Sequence, residues 1–294
     1  MLGPTNLWMC MAGLVFLAAG VVAFRKEIAA ARGLDKLVAL GPVLIAASLA
    51  AFAPEHFKGP EYIDKMAPSY MPWHGVWAYF VGCALLAAAT SINVRKFERL
   101  STSLLGLMFF LFVCMIYLPS AVRHADSRFA WAYVLRDLSF CAGAWALAGM
   151  HNRAAWPRLS SGMILFARMV LAIAAIDYGV QHFLHPTSAP GVPLEMMTPA
   201  WVPFPSVWGY VAGAVLLAAG IGLALNRKVR LAAASVGALM TALTVFLYLP
   251  VAVMAYGGSA GDFNDAINYL ADTLLYAGSA LAVGLALRAS DDPA

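Results

Sequence analysis

The sequence predicts an all-α polytopic membrane protein of about nine transmembrane helices: two tandem parallel four-helix repeats plus one extra N-terminal helix. Three observations predict it. Of the 294 residues, 62% are apolar and 12% charged, about half the charged fraction of a soluble domain. Nine predominantly apolar stretches, six of them without a charged residue, each approach the roughly 20 residues of a helical crossing, and none alternates in polarity as a membrane strand does. Residues 67–119 also align without a gap on residues 198–250, the mark of an internal repeat.

The stretches are residues 6–24, 37–54, 74–94, 101–119, 131–150, 162–181, 207–225, 231–256 and 264–287. The first has the length of a secretory signal. No basic residue precedes it and no small-residue cleavage pattern precedes Arg25-Lys26, so it is expected to remain as a helix.

Basic residues set the direction of crossing, because Lys and Arg stay on the cytoplasmic side. Arg25, Lys26, Arg32, Lys36, Arg95, Lys96, Arg99, Arg153, Arg158, Arg227, Lys228, Arg230 and Arg288 fall in alternate connections, against only Lys58, Lys65, Arg123 and Arg128 in the others. The amino terminus is therefore expected outside and the carboxyl terminus in the cytoplasm. An Ala-rich composition fits a bacterial inner membrane. The same bias accounts for the net charge of +4 without a nucleic-acid partner. Cys10, Cys83, Cys114 and Cys141 all lie within spans and form no CxxC pair, so they are expected to be small buried hydrophobes.

The repeat rests on its less common residues. Pro68, Pro72, Trp77, Tyr79, Gly82 and Arg99 pair with Pro199, Pro203, Trp208, Tyr210, Gly213 and Arg230, and Tyr117-Leu118-Pro119 pairs with Tyr248-Leu249-Pro250. Upstream, His56-Phe57 and Pro60 reappear as His182-Phe183 and Pro186; downstream, Asp137 and Gly143 reappear as Asp272 and Gly278. The chain then divides into an N-terminal helix and cytoplasmic linker (1–33), a first unit (34–150) and a second unit (151–294). With an even number of spans in each, the units face the same way and are related by an axis along the membrane normal.

The His-Phe-x-x-Pro element, the paired prolines ahead of Val-Trp-x-Tyr, the Arg that follows and the Tyr-Leu-Pro exit together resemble the DoxX-like membrane proteins, over residues 34–287. The resemblance implies a four-helix membrane unit, here in tandem, and an association with thiosulfate, quinone or thiol redox chemistry or with chaperone-like roles. Two features depart from it. An Arg of the family's first helix corresponds to Arg168 but to Pro42 in the first unit, and no redox cysteine pair is present.

Orientation and repeat together place a polar and aromatic cluster at the outer ends of the helices in each unit. The first is His56, Asp137, Arg136, Tyr117, Trp77 and Tyr79; the second is His182, Asp177, Asp272, Tyr248, Trp208 and Tyr210. Trp and Tyr at helix ends commonly form the interfacial belt, and the prolines shape helix starts and exits. The two Asp residues matter more. A carboxylate inside a span costs at least about 2.5 kcal/mol and is normally paired or faces a cavity. Each Asp is expected either to lock its bundle by bonding the unit's own His or Tyr, or to form an acid/base pair with that His. Arg136 beside Asp137, against Ala271 beside Asp272, predicts a neutralised first site and a free second one. With Asp177, and a loop of residues 185–197 that is five residues longer than its counterpart, the second unit is the expected binding site.

Two function classes follow. One is a redox-associated subunit that binds a quinone or similar apolar molecule near the outer leaflet and relies on a redox enzyme partner for electrons. The other is a non-enzymatic scaffold or assembly factor; a small-molecule transporter ranks below both, since the matched spans lack mid-span Gly or Pro breaks. Haem and zinc are disfavoured and no metal site is assigned, because no unit holds two facing histidines or enough ligands close together.

Overall fold

The computed structural model describes residues 4–58 and 67–291, with side chains from 6–57 and 67–287. Pro60 and Lys65 lie outside the described residues, and so do the side chains of Lys58 and Arg288. The described chain is α1 (Pro4–Ala23), the short linker helices α2 (Arg25–Ala30) and α3 (Leu34–Val38), then α4 (Gly41–Lys58), α5 (His74–Val94), α6 (Glu98–Phe112) and α7 (Leu118–Arg123). It continues as α8 (Arg128–Asn152), α9 (Pro157–Leu184), α10 (Pro205–Ala224), α11 (Val229–Leu243), α12 (Leu249–Ala255) and α13 (Ala260–Asp291).

Eight described segments are long and apolar enough to cross a membrane. The stretch expected as a ninth span is the 25-residue helix α8, which carries Arg136 and Asp137 and is not among these eight. The protein is a polytopic all-α membrane protein.

Local chemistry sets the helix limits. Ser127 caps α8 by accepting from the Ala130 amide, while Pro157 and Pro205 sit in the first turns of α9 and α10, where no amide partner is needed. Pro119 and Pro250 act differently. Neither can donate to the carbonyl one turn back, and each follows a five-residue π turn, Val113–Tyr117 and Thr244–Tyr248. The π turns interrupt the third span of each segment near its end, breaks that the sequence alone does not announce.

One end of the molecule carries His56, Trp77, His182 and Trp208, and the other carries Arg95 and Arg227; these are called the aromatic and basic ends below. At the basic end Arg95 pairs with Glu27, and Arg230 pairs with Asp35 across 195 residues of sequence. The Glu27 carboxyl is held below its ordinary range first by its own backbone amide and then by Arg95.

Several details occur twice, 131 residues apart. Trp77 and Trp208 each donate through Nε1 at 3.1 Å to the carbonyl of the proline five residues earlier, Pro72 and Pro203. Trp73 and Phe204 both adopt positive φ immediately before α5 and α10. Gly82 and Gly213 sit against the Cβ atoms of His56 and His182, so any larger residue would push the second helix of each segment away from the first.

The packing differs from two self-contained bundles. The first helix of each segment lies against the last helix of the other: α4 packs on α13, and α9 packs on α8. The small residues explain the closeness. A Cβ on Gly41 would lie 2.7 Å from the Ala282 amide, and a Cβ on Gly149 would lie 2.8 Å from Ile164. Without a hydrophobic force between helices in lipid, such close backbone approach supplies the dispersion energy that holds them together. The last helices, α8 and α13, also pack on each other, so this pair closes both halves. The apolar windows of α4 and α13 are each 78% buried, against 17% for α1, which covers α4 from outside. Cys83 and Cys114 are exposed on the outer surface, contrary to the expectation of burial, while Cys141 is buried.

Candidate functional site

Helix α8 starts at Arg128 and α13 at Ala260, both earlier than the apolar stretches suggest. Asp137 therefore lies nine residues inside its helix and Asp272 twelve, about 14 and 18 Å along the axes at 1.5 Å per residue. The carboxylates are deep groups, whereas His56 and His182 stay near the aromatic ends of α4 and α9. Depth separates what the sequence placed together.

The two Asp residues meet on one cation. Arg136 donates through Nε and Nη2 to Asp137 Oδ2 at 3.0 and 2.9 Å, and through Nη1 to Asp272 Oδ2 at 2.9 Å. Its Nη2 also reaches the Tyr117 hydroxyl at 3.3 Å, and its Cζ lies 5.0 Å from the Tyr133 ring centroid. This corrects the expectation of a neutralised first site and a free second one. The planar fork of a guanidinium is what permits it, since the two carboxylates bond opposite sides of one rigid group. One cation facing two carboxylates leaves one negative charge, or one proton, over.

A third carboxylate lies nearby. Glu55, 7% exposed on α4, accepts at Oε1 from Asn264 Nδ2 at 2.9 Å and Asn268 Nδ2 at 3.3 Å, both on α13. The sequence reading passed over it. Its signal was an acidic residue next to His56 at the end of a span, paired in the alignment with the neutral Gln181.

The histidines pair with backbone. His56 Nδ1 lies 3.1 Å from the Phe52 carbonyl one turn back. His182 is wholly buried, and its Nε2 lies 2.9 Å from the Gly191 carbonyl and 3.1 Å from the Gly191 amide. Neither joins an Asp in the expected acid/base pair. Asp177 instead accepts from Gln181 Nε2 at 3.3 Å, on its own helix.

His182 and Tyr248 serve the loop between α9 and α10. Residues 188–194 are buried, which is unusual for a connection. They fold back into the mouth of the second segment. The Tyr248 hydroxyl donates to the Pro190 carbonyl at 3.0 Å, His182 holds Gly191, and an antiparallel bridge between Ser188 and Met197 closes the loop. Tyr117, the counterpart of Tyr248, is turned to Arg136 instead. Replacing Tyr248 with Phe removes one buried hydrogen bond, so a loss of about 1 kcal/mol is expected. Faster proteolytic nicking between residues 188 and 197 would report it.

Trp77, Tyr79, Trp208 and Tyr210 are 41–50% exposed and face outward at the starts of α5 and α10. Tyr79 stacks on Phe57 and Tyr210 lies against Phe183, at 6.2 and 5.9 Å between centroids. They form an aromatic rim rather than the lining of the charge cluster. A cavity of about 190 Å³ lies at the opposite, basic end, where Glu98 and His151 approach to 3.6 Å. Among the described residues no three His, Cys, Asp or Glu side chains gather as a metal site requires.

Among known proteins, the DoxX family model matches residues 163–249, from α9 through the second π turn to the start of α12. No curated protein and no solved structure matches the chain. The matched stretch, which contains His182, Trp208, Tyr210 and Tyr248, is DoxX-like, and with the apolar helices around it the chain is a multi-pass membrane protein.

Proposed function

We propose that the chain is two DoxX-like units in tandem, acting as a redox-associated membrane subunit that binds a quinone or similar apolar molecule beside the Arg136 cluster. The paired details 131 residues apart support the tandem reading: the two π turns, the two Trp-to-Pro hydrogen bonds and the two Gly-against-His contacts. The distribution of basic residues supports the aromatic end as the outer one, in a bacterial inner membrane with the carboxyl terminus in the cytoplasm.

The observation that carries the functional reading is charge balance. A purely structural lock needs one carboxylate per guanidinium, yet Arg136 faces Asp137 and Asp272 at the same distance, 2.9 Å. An unbalanced carboxylate inside a membrane protein is costly and marks a functional position. Here it supplies a proton site among the rings of Tyr117 and Tyr133, which stack at 6.2 Å. A ligand with an apolar body and oxygens on its ring suits that setting, and a cofactor-bearing partner supplies electrons.

The test is mass spectrometry of an organic extract from protein purified in mild detergent. The proposal expects a quinone or related molecule in near-equal amount that is lost in Asp272→Asn. An extract holding only bulk phospholipid contradicts it and favours a scaffold, a role the cluster also suits because it ties the Tyr117 segment, α8 and α13 together.

A further inference from the structure

We infer that the seam between α4 and α13 is a water-accessible path by which the buried cluster exchanges its proton with the aqueous phase at the aromatic end. The inference rests on the proton site proposed above and adds its route.

On α13, Asn264, Asn268 and Asp272 recur every four residues and therefore share one face. They span about 12 Å along the axis, from the half-buried Asn264, just past the exposed residues 260–262 that begin the helix, to the Arg136 fork. Glu55 stands opposite them on α4 and accepts from both amides. Asn268 Oδ1 is buried and has no partner. An amide oxygen without a partner in a protein interior marks a place for water. The Asp272 side chain keeps 15% of its exposure, against 4% for Asp137, so the route ends on the more accessible of the two carboxylates.

The other seam, between α8 and α9, shows what a closed path looks like. With Asp137 aligned on Asp272, the positions of Asn264 and Asn268 are taken by Phe129 and Tyr133, and Glu55 aligns with Gln181. That side replaces two amides with rings and a carboxylate with an amide, so among the described residues the stripe of two Asn and an Asp facing a Glu is a feature of the α4–α13 seam. The helix outside the repeat completes the arrangement. Helix α1 packs on both α4 and α13, its Met9 clusters with Phe263 and Ile267, and Asn6 bonds the Ala260 carbonyl at 2.9 Å. It walls the stripe from lipid on the flank that the repeat leaves open, which gives the unpaired first span a task.

The titratable groups around the route come from several elements, among them Tyr248 of the second π turn, stacked on Tyr269 at 6.4 Å, and Cys10 of α1, packed against the Met9 cluster, with Glu195 of the loop before α10. Glu55 and His56 come from α4, Arg136, Asp137 and Tyr133 from α8, Tyr117 from the first π turn, and Asp265, Tyr269 and Asp272 from α13. Of these, the carboxylates of Glu55 and Asp272 are the ones that the stripe connects.

The test is infrared spectroscopy of the full chain in lipid nanodiscs, following the carbonyl band of protonated carboxyl groups after transfer to heavy water. In the unaltered protein the band is expected to shift rapidly. Asn268→Leu and Asn264→Leu should keep the band and slow its shift by about tenfold or more, roughly 1.4 kcal/mol in the barrier. Glu55→Gln should slow the shift of the band that Asp137 and Asp272 still report, and Phe129→Leu on the other seam should leave the rate unchanged. Unchanged rates in folded Asn268→Leu and Glu55→Gln overturn the route and leave the proton site standing. A protein with no protonated carboxyl band at any pH where it stays folded overturns both.

Discussion

Arg136→Met is expected to lower stability by about 3–5 kcal/mol, the cost of leaving buried carboxylates without their cation. The side chain is 10% exposed, and its loss would strand Asp137 and Asp272 at once. The measurement is the monodisperse yield and thermal midpoint in detergent. Arg136→Lys should fall between the two, because an ammonium keeps the charge but lacks the planar fork that reaches two carboxylates on opposite sides. A lysine variant as stable as the parent would show that charge alone suffices and that the bridging geometry is incidental.

The second large effect is expected at the crossing of α8 and α13. A Cβ on Gly143 would lie 2.4 Å from Ser279 Cβ and 2.5 Å from its Cα. The Ser279 hydroxyl, also at 2.4 Å, can rotate aside, but its Cβ and Cα are fixed to the α13 backbone, so the helices must part. Gly143→Val is expected to cost about 1–3 kcal/mol or more and to loosen the Arg136–Asp272 bond two turns away. Gly162→Ala is the control. It has no heavy atom within 4 Å of the added methyl and lies within α9, so it should be neutral or stabilising by up to about 1 kcal/mol. Thermal midpoints of the two variants separate a helix-crossing requirement from a general intolerance of change at glycine.

The spans and the polar residues were legible from composition and from matched Pro, Trp, Tyr and His, because those features depend on one chain position at a time. Depth was less legible. The apolar stretch containing Asp137 seemed to begin at Trp131, yet Ser127 starts the helix earlier, and the Asp then lies below the histidine it was paired with. Partnership between halves was not legible at all. An alignment of the chain with itself sets Asp137 against Asp272, but it does not say that the packing of α8 on α13 brings both to one guanidinium. The proximity of Arg136 and Asp137 in sequence even suggested the reverse, a private ion pair. Glu55 was missed for a related reason, since its partners Asn264 and Asn268 lie 209 and 213 residues away. His182 lies near the end of α9, as its place in the apolar stretch suggests, yet its bond to Gly191 depends on a loop that folds inward, and nothing in local composition requires that.

The most direct test of the shared cluster is a double-mutant cycle between Arg136→Gln and Asp272→Asn, with Arg136→Gln and Asp137→Asn as the parallel cycle, each followed by thermal unfolding in detergent. A single guanidinium serving both carboxylates predicts strong non-additivity in both cycles, with Asp272→Asn rescuing part of the loss caused by Arg136→Gln. Additive effects at Asp272 beside non-additive ones at Asp137 would contradict it and return the protein to two independent sites.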